Sequence, residues 1–135
     1  MKANRGKPHR LFGVDCRFKS KNRLKISSST MAVHLYRIAQ EAVANAIKHG
    51  KANSVCIRLE NGHEKSVLSI ENDGLDFPNK LQEKGLGLHI MNHRADIIGA
   101  LLQVGKADNG GTIVKCIFPN KSGRIAPGEK PKLQQ

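Results

Sequence analysis

Apolar and polar positions follow two different periods along this chain, and the change of period marks the predicted elements. Positions from Phe12 to Phe18 alternate with a period of two, which is typical of a strand with one buried face. Apolar residues then recur at helical spacing from about Met31 to His49, and a glycine follows at position 50. The pattern therefore predicts a strand followed by a long helix.

The rest of the pattern predicts four more strands and one more helix. The strands are expected at 54–59, 66–71, 101–105 and 112–118, and the helix at about 87–98. Tight turns at Asn61-Gly62 and at 108–111 join the strands in pairs. Because regular strand-helix-strand alternation is missing, we expect an α/β two-layer sandwich, with a mixed or antiparallel sheet and helices packed on one face.

Charge separates the ends of the chain from its middle. The net charge is +12, of which residues 1–25 carry +8 and residues 120–135 carry +3, whereas residues 26–119 carry only +1. We therefore expect a basic, disordered leader at 1–11, one folded domain at 12–119, and a basic, disordered tail at 120–135. A nearly neutral domain with few aromatic residues argues against binding of nucleic acid.

No apolar run is long enough to span a membrane, and no signal-peptide pattern opens the chain. The three cysteines have no spacing that suits zinc and are expected as free thiols. We therefore expect a cytoplasmic domain that does not itself contact a membrane, whether or not its parent protein is anchored in one.

The first predicted helix carries a narrow polar stripe. Glu41, Asn45 and Lys48 lie one turn apart on it, and His49 extends it. The amide oxygen of Asn45 is a hard ligand that suits Mg²⁺, and Glu41 could orient or deprotonate a nucleophile beside phosphates. Lys48 could add a positive charge there, although a stripe of this kind can also be a solvated face.

Three glycine segments accompany this helix. Gly85 and Gly87 lead into a predicted helix N-terminus, which suits a phosphate, and they belong to a loop of about fifteen residues that is long for a compact domain. Asn72 and Gly74 end a strand where an amide could hydrogen-bond to a purine. The third segment is 110–112. Neither a dinucleotide fingerprint nor a GxxxxGK[ST] phosphate loop is present.

Together, these segments resemble the N box and the three glycine boxes of the GHKL (Bergerat-fold) ATPases. Within that superfamily the chain looks like the catalytic ATP-binding domain of bacterial sensor histidine kinases, of the class related to nitrate- and oxygen-sensing kinases. The resemblance covers roughly residues 12–119, and it rests on 35–49, 72–76, 85–99 and 110–112.

The resemblance implies a Bergerat fold that uses ATP and Mg²⁺. It implies Asn45 as the metal ligand and Glu41, Lys48 and His49 as catalytic residues. The residues implied to bind the nucleotide are Asn45, Asn72, Asp73, Gly74, Gly85, Leu86, Gly87, Leu88, Gly111 and Thr112. The implied reaction transfers the γ-phosphate to a histidine on a separate dimerisation domain of the parent kinase, with a response regulator as an indirect partner.

The first glycine box departs from the family pattern Asp-x-Gly-x-Gly. Asn72 takes the position of the aspartate, and Asp76 takes that of the second glycine. Asn72 could still accept a hydrogen bond from adenine through its carbonyl oxygen, or Asp73 could replace it if the register shifts.

Two other functions stay open. One is a stand-alone serine kinase of the anti-sigma-factor type or another GHKL ATPase, and the other is a small basic nucleic-acid-binding domain, which the charge distribution disfavours.

Overall fold

One mixed sheet and two helices make up the described part of the chain, which is residues 4–5, 9–11, 13–21, 29–48, 51–74 and 87–119 of a computed structural model. The strands are β1 (Asn4–Arg5), β2 (His9–Leu11), β3 (Val14–Lys21), β4 (Ser54–Asn61), β5 (Lys65–Asn72), β6 (Leu101–Lys106) and β7 (Thr112–Pro119). The helices are α1 (Ser29–Lys48) and α2 (Leu88–Ile97).

The strand order is β1-β3-β4-β5-β7-β6, and β2 also pairs with β3. β3 and β4 are parallel, whereas the other pairs are antiparallel. Parallel neighbours need a long connection, and α1 lies in the connection between these two. The predicted mixed sheet is therefore confirmed, with β3 as the strand that makes it mixed.

The core lies between one face of the sheet and both helices. Ile57, Ile70 and Val114 are register neighbours on three adjacent strands, so they form a row on that face. α1 and α2 bury Ile38 and Met91, both fully, against the same cluster. Each such side chain contributes about 1.5–3 kcal/mol when removed from water, so a core of mostly aliphatic side chains together with Phe118 forms without tryptophan.

α2 ends where the sequence predicts. Gly99 has φ 67°, a left-handed conformation that glycine adopts without steric penalty. The Ala100 N–H donates to the Ala95 carbonyl at 2.8 Å, and the Gly99 N–H donates to the Asp96 carbonyl at 3.1 Å. This pair of bonds is a Schellman motif, which satisfies the last carbonyls of the helix and turns the chain into β6.

Three predictions about boundaries need correction. Residues 4–5 and 9–11 of the expected leader form β1 and β2, because both find a partner in β3, on the side away from β4. Asn61 stays in β4 and pairs with Ser66, so residues 62–64, rather than Asn61-Gly62, connect β4 to β5. β3 is shifted towards the C-terminus relative to the predicted strand. Phe12, Gly50, the loop at 75–86 and the tail at 120–135 lie outside the described residues.

An apolar groove of about 890 Å³ runs between α1 and strands β3 to β5. It is lined by Cys16, Phe18, Ala32, Leu35, Tyr36, Ala39, Gln40, Val43, Ala44, Ile47, Lys48, Ile57, Leu59 and Leu68. Two of these lining side chains, Phe18 and Tyr36, are exposed to solvent. The groove therefore occupies the flank of α1 that faces β3.

The cysteines are free, as expected. Cys116 is fully buried, and burial raises the pKa of its thiol to about 12. Among the described residues, no helix is long and apolar enough to cross a membrane.

Candidate functional site

The structure brings Glu41 of α1 against the start of α2. Gly87 caps α2 with φ 74°, and a Cβ at this position would meet the Glu41 side chain, with Cδ at only 2.7 Å. Glycine is therefore required here twice, for the left-handed backbone and for the space that the glutamate fills. We call this contact, Glu41 with residues 87–91, the helix junction.

The helix junction joins a carboxylate to the positive end of a helix. The first bond within α2 runs from the Met91 N–H to the Gly87 carbonyl at 2.8 Å, and α2 has no side-chain cap. The amides of the first turn therefore have no partner inside the helix and attract negative charge. Glu41 supplies part of that charge, and an anionic ligand could supply more.

A second group of polar contacts lies at the end of β5. The Gly74 N–H donates to Asn72 Oδ1 at 2.9 Å, which closes a turn over the strand end. Asp73 Oδ1 accepts the backbone N–H groups of Asn53 and Ser54, both at 2.9 Å. Asp73 therefore ties the end of β5 to the start of β4.

Hydrogen bonds determine the charge of Asp73. Burial alone raises the pKa of this carboxyl, but the N–H groups of Ser54 and Asn53 outweigh that effect. The pKa of Asp73 consequently lies below its ordinary value, and the group is ionised at neutral pH.

The turn before β7 packs directly on this strand end. A Cβ at Gly111 would overlap the Asn72 carbonyl oxygen and lie 3.0 Å from its Oδ1, so the two backbones touch because Gly111 has no side chain. The Gly111 N–H donates to Asn109 Oδ1 at 3.0 Å, which shapes the turn. We call residues 72–74 together with 109–111 the β5 corner.

The other predicted site residues are distributed over both groups. Asn45 is half-buried one turn after Glu41, Leu88 opens α2 and packs against the core, and Thr112 begins β7 opposite Lys106. Lys48 is exposed and lines the apolar groove, and no hydrogen bond or ion pair joins it to another described site residue. His49, Gly85 and Leu86, as well as Asp76, lie outside the described residues.

Sequence reasoning missed two contacts. Asn53 and Ser54 were not predicted as partners of Asp73, and Arg94 of α2 contacts His34 Nδ1 of α1 at 3.3 Å. The second contact joins α1 to α2 about two helical turns from the helix junction. The sequence does indicate that His34, Glu41 and Asn45 share one flank of α1. His34 lies seven residues before Glu41, and Asn45 lies four residues after it.

The polar groups fit a magnesium nucleotide. Within the described residues, no three His, Cys, Asp or Glu side chains converge on a possible metal position. Mg²⁺ commonly takes one or two protein ligands and completes its shell with phosphates and water. Asn45, one turn after Glu41 on α1, could supply one such ligand, whereas a metal held by protein side chains alone would not fit the described residues.

Residues 30–122 match the family described as histidine kinase-, DNA gyrase B- and HSP90-like ATPases. The nitrate/nitrite sensor protein NarQ of Escherichia coli is 35% identical over 106 residues, which are 76% of this chain and 18% of NarQ. The sensor histidine kinase LiaS of Bacillus subtilis is 32% identical over 94 residues, 67% of this chain and 26% of LiaS. The chain thus spans about a quarter or less of these relatives' lengths.

Solved structures share the fold. The ATP-binding domain of PrrB from Mycobacterium tuberculosis superposes with a TM-score of 0.60 at 24% identity, covering 67% of this chain and 69% of that domain. The catalytic domain of histidine kinase ThkA superposes with a TM-score of 0.61 at 23% identity, covering 78% and 76%. The fold and the matched residues 30–122 agree, and the chain belongs to the family of histidine kinase-, DNA gyrase B- and HSP90-like ATPases.

Proposed function

We propose that this chain is the ATP-binding catalytic domain of a two-component sensor histidine kinase. It binds ATP with Mg²⁺ and passes the γ-phosphate to a histidine on a separate dimerisation domain. A response regulator then receives the phosphate from that histidine. The observation that carries the proposal is the helix junction, where Glu41 lies against the uncapped start of α2. The proposal assigns the domain to the cytoplasm, where ATP is available.

The helix junction would bind the phosphates, and the β5 corner would bind the base. The N–H groups at the start of α2 suit phosphate oxygens, and Glu41 is placed beside them to orient or accept a proton from the attacking group. Asn45 would hold Mg²⁺, which neutralises phosphate charge when bound. Catalysis of this kind depends mostly on positioning and charge stabilisation.

The metal role of Asn45 can be tested by calorimetry with an unhydrolysable ATP analogue, with and without Mg²⁺. We expect Asn45→Ala to lose the magnesium-dependent part of binding, about tenfold or more in affinity, because the only protein ligand proposed for the ion is removed. Gln40→Ala is the matched control, since Gln40 is an exposed amide on the same helix that lies at the apolar groove. Equal magnesium dependence in Asn45→Ala and wild type would contradict the assignment.

The acceptor can be tested with an isolated histidine-bearing dimerisation domain of a relative such as NarQ. We expect phosphate on its histidine, which is labile to acid. Acid-stable phosphate on a serine of a partner protein would instead support the stand-alone serine kinase.

A further inference from the structure

Two contacts between α1 and α2 are separated by the same interval on each helix. One is the helix junction between Glu41 and Gly87, and the other is the bond between Arg94 and His34. Seven residues separate His34 from Glu41, and seven separate Gly87 from Arg94. Each interval is two helical turns, or about 10.5 Å. Because residue numbers rise along α2 in the direction in which they fall along α1, the two helices are antiparallel and their contacts are in register.

An apolar layer lies between these two contacts. Ile38 is four residues after His34 on α1, and Met91 is four residues after Gly87 on α2. Both side chains are fully buried and belong to the same hydrophobic cluster. Apolar burial is non-directional, so this layer opposes separation of the helices but does not by itself determine how far one lies along the other.

The bond between Arg94 and His34 does have a direction. A guanidinium group only donates, so His34 Nδ1 accepts from Arg94 at 3.3 Å. Both side chains are half-buried, and a hydrogen bond with an ionised donor is stronger than one between neutral groups. The bond therefore determines the position of α2 along α1, two turns from the helix junction.

We propose that Arg94 is a positioning residue for phosphate binding. Its bond to His34 holds the first amides of α2 beside Glu41, and it acts through the helix rather than by contact with the nucleotide. The inference rests on the proposed function, because it assumes that the phosphates bind at the helix junction. Position matters there, since a displacement of about 1 Å in a binding group can cost about a hundredfold in rate.

Removal of either partner of the bond tests this inference. Arg94→Met keeps an apolar stem without the donor, and His34→Leu keeps a side chain of moderate size without the acceptor. Binding of an unhydrolysable ATP analogue with Mg²⁺ is measured by calorimetry, and urea denaturation checks that each variant is folded. We expect each substitution to weaken binding by about two- to thirtyfold. The double variant should bind no more weakly than the weaker of the two, because both substitutions remove one bond.

His34→Asn is the conservative variant that should restore binding. The Oδ1 of an asparagine branches from the same carbon as the Nδ1 of a histidine, and it can accept from Arg94. We expect its affinity to be close to that of the wild type, and this comparison with His34→Leu does not depend on the folding of Arg94→Met. A role in stability alone, which a cation in the last turn of α2 could have, would lower the free energy of unfolding without changing the affinity of the folded protein.

Arg37→Met is the matched control for charge. Arg37 lies one turn before Glu41 and bonds to Gln40 of the same helix at 3.2 Å. The substitution thus removes the same charge closer to the helix junction and leaves the bond between α1 and α2 in place, so we expect the affinity of the wild type.

Equal weakening in Arg37→Met and Arg94→Met would assign the effect to net charge and overturn the inference. Wild-type affinity in the folded Arg94→Met or His34→Leu variant would also overturn it, as would additive losses in the double variant or a loss in His34→Asn equal to that in His34→Leu. In all these cases the wild type still binds the analogue, and the proposed function stands. Failure of the wild type to bind the analogue would overturn the proposed function itself.

Discussion

The β5 corner and the helix junction are built from similar groups but differ in where those groups are bonded. At the β5 corner, Asn72 and Asp73 bond to backbone N–H groups of the protein itself. At the helix junction, Glu41 lies against a helix start that has no side-chain cap. The difference teaches that the polar side chains of the β5 corner are already used to shape the protein. At the helix junction, the carboxylate charge and the first amides of α2 are kept for a ligand.

The largest expected effect comes from breaking the β5 corner by substituting Gly111→Ala. The new Cβ would overlap the Asn72 backbone, which cannot move without displacing β5 from β7. We expect the free energy of unfolding to fall by about 3 kcal/mol, as for overpacked cores. Urea denaturation measures this change.

Gly105→Ala is the control for that substitution. Gly105 lies in β6, and a Cβ there would meet nothing within 4 Å. We expect a change of at most about 1 kcal/mol, and in the stabilising direction. Equal losses in the two variants would show that close contact with Asn72 is not what Gly111 provides.

An intermediate effect is expected at the helix junction from Gly87→Ala. The left-handed backbone should cost about 1–2 kcal/mol, and the Cβ displaces the flexible Glu41 side chain rather than a strand. Gly13→Ala isolates the cost of the left-handed backbone, because Gly13 has φ 78° and open space around its Cβ position. We expect similar losses of stability in urea.

Only Gly87→Ala should also lower phosphoryl transfer, by about 100-fold, because Glu41 is moved from the start of α2. A phosphorylation assay with the dimerisation domain measures this. Phosphate transfer at the wild-type rate by both variants would show that the position of the Glu41 side chain does not depend on Gly87.

The smallest effect is expected from Asp73→Asn. Because hydrogen bonds hold the pKa of Asp73 below its ordinary value, its ionised form stabilises the fold above the ordinary pKa of about 3.9, and this contribution is lost as the pH falls through the lower, folded-state pKa. The contribution is small because the side chain is exposed. We expect Asp73→Asn to remove part of the decrease in Tm between neutral pH and about pH 3. Parallel curves of Tm against pH would contradict this role.

Local pattern was sufficient for most of the fold. α1 was predicted within two residues at its start because its apolar period is long and unbroken, and Gly99 was identified because glycine ends helices for a local reason. β1 and β2 were not predicted, since short polar strands carry no period and depend on pairing with β3.

The candidate site was predicted in its residues but not in its contacts. The proximity of Glu41 to Gly87 joins positions far apart in sequence, and the packing of Gly111 on Asn72 depends on how β7 pairs with β5. The sequence also suggested that Asn72 could accept a bond from adenine, whereas the structure shows its oxygen already bonded to Gly74. Which end of an amide is available depends on a neighbour's N–H, and no pattern of residue types contains that information.

The end of β5 has a consequence for how easily this site could change during evolution. Asn72 is buried on the helix side and Asp73 is exposed on the other, because successive residues of a strand face opposite sides. Exchanging these two neighbours would conserve composition, net charge and almost all volume, yet it would turn a carboxylate inward and an amide outward. The order of two adjacent letters, rather than the appearance of any new residue, thus separates two chemistries, and a lineage could pass between them in very few mutational steps.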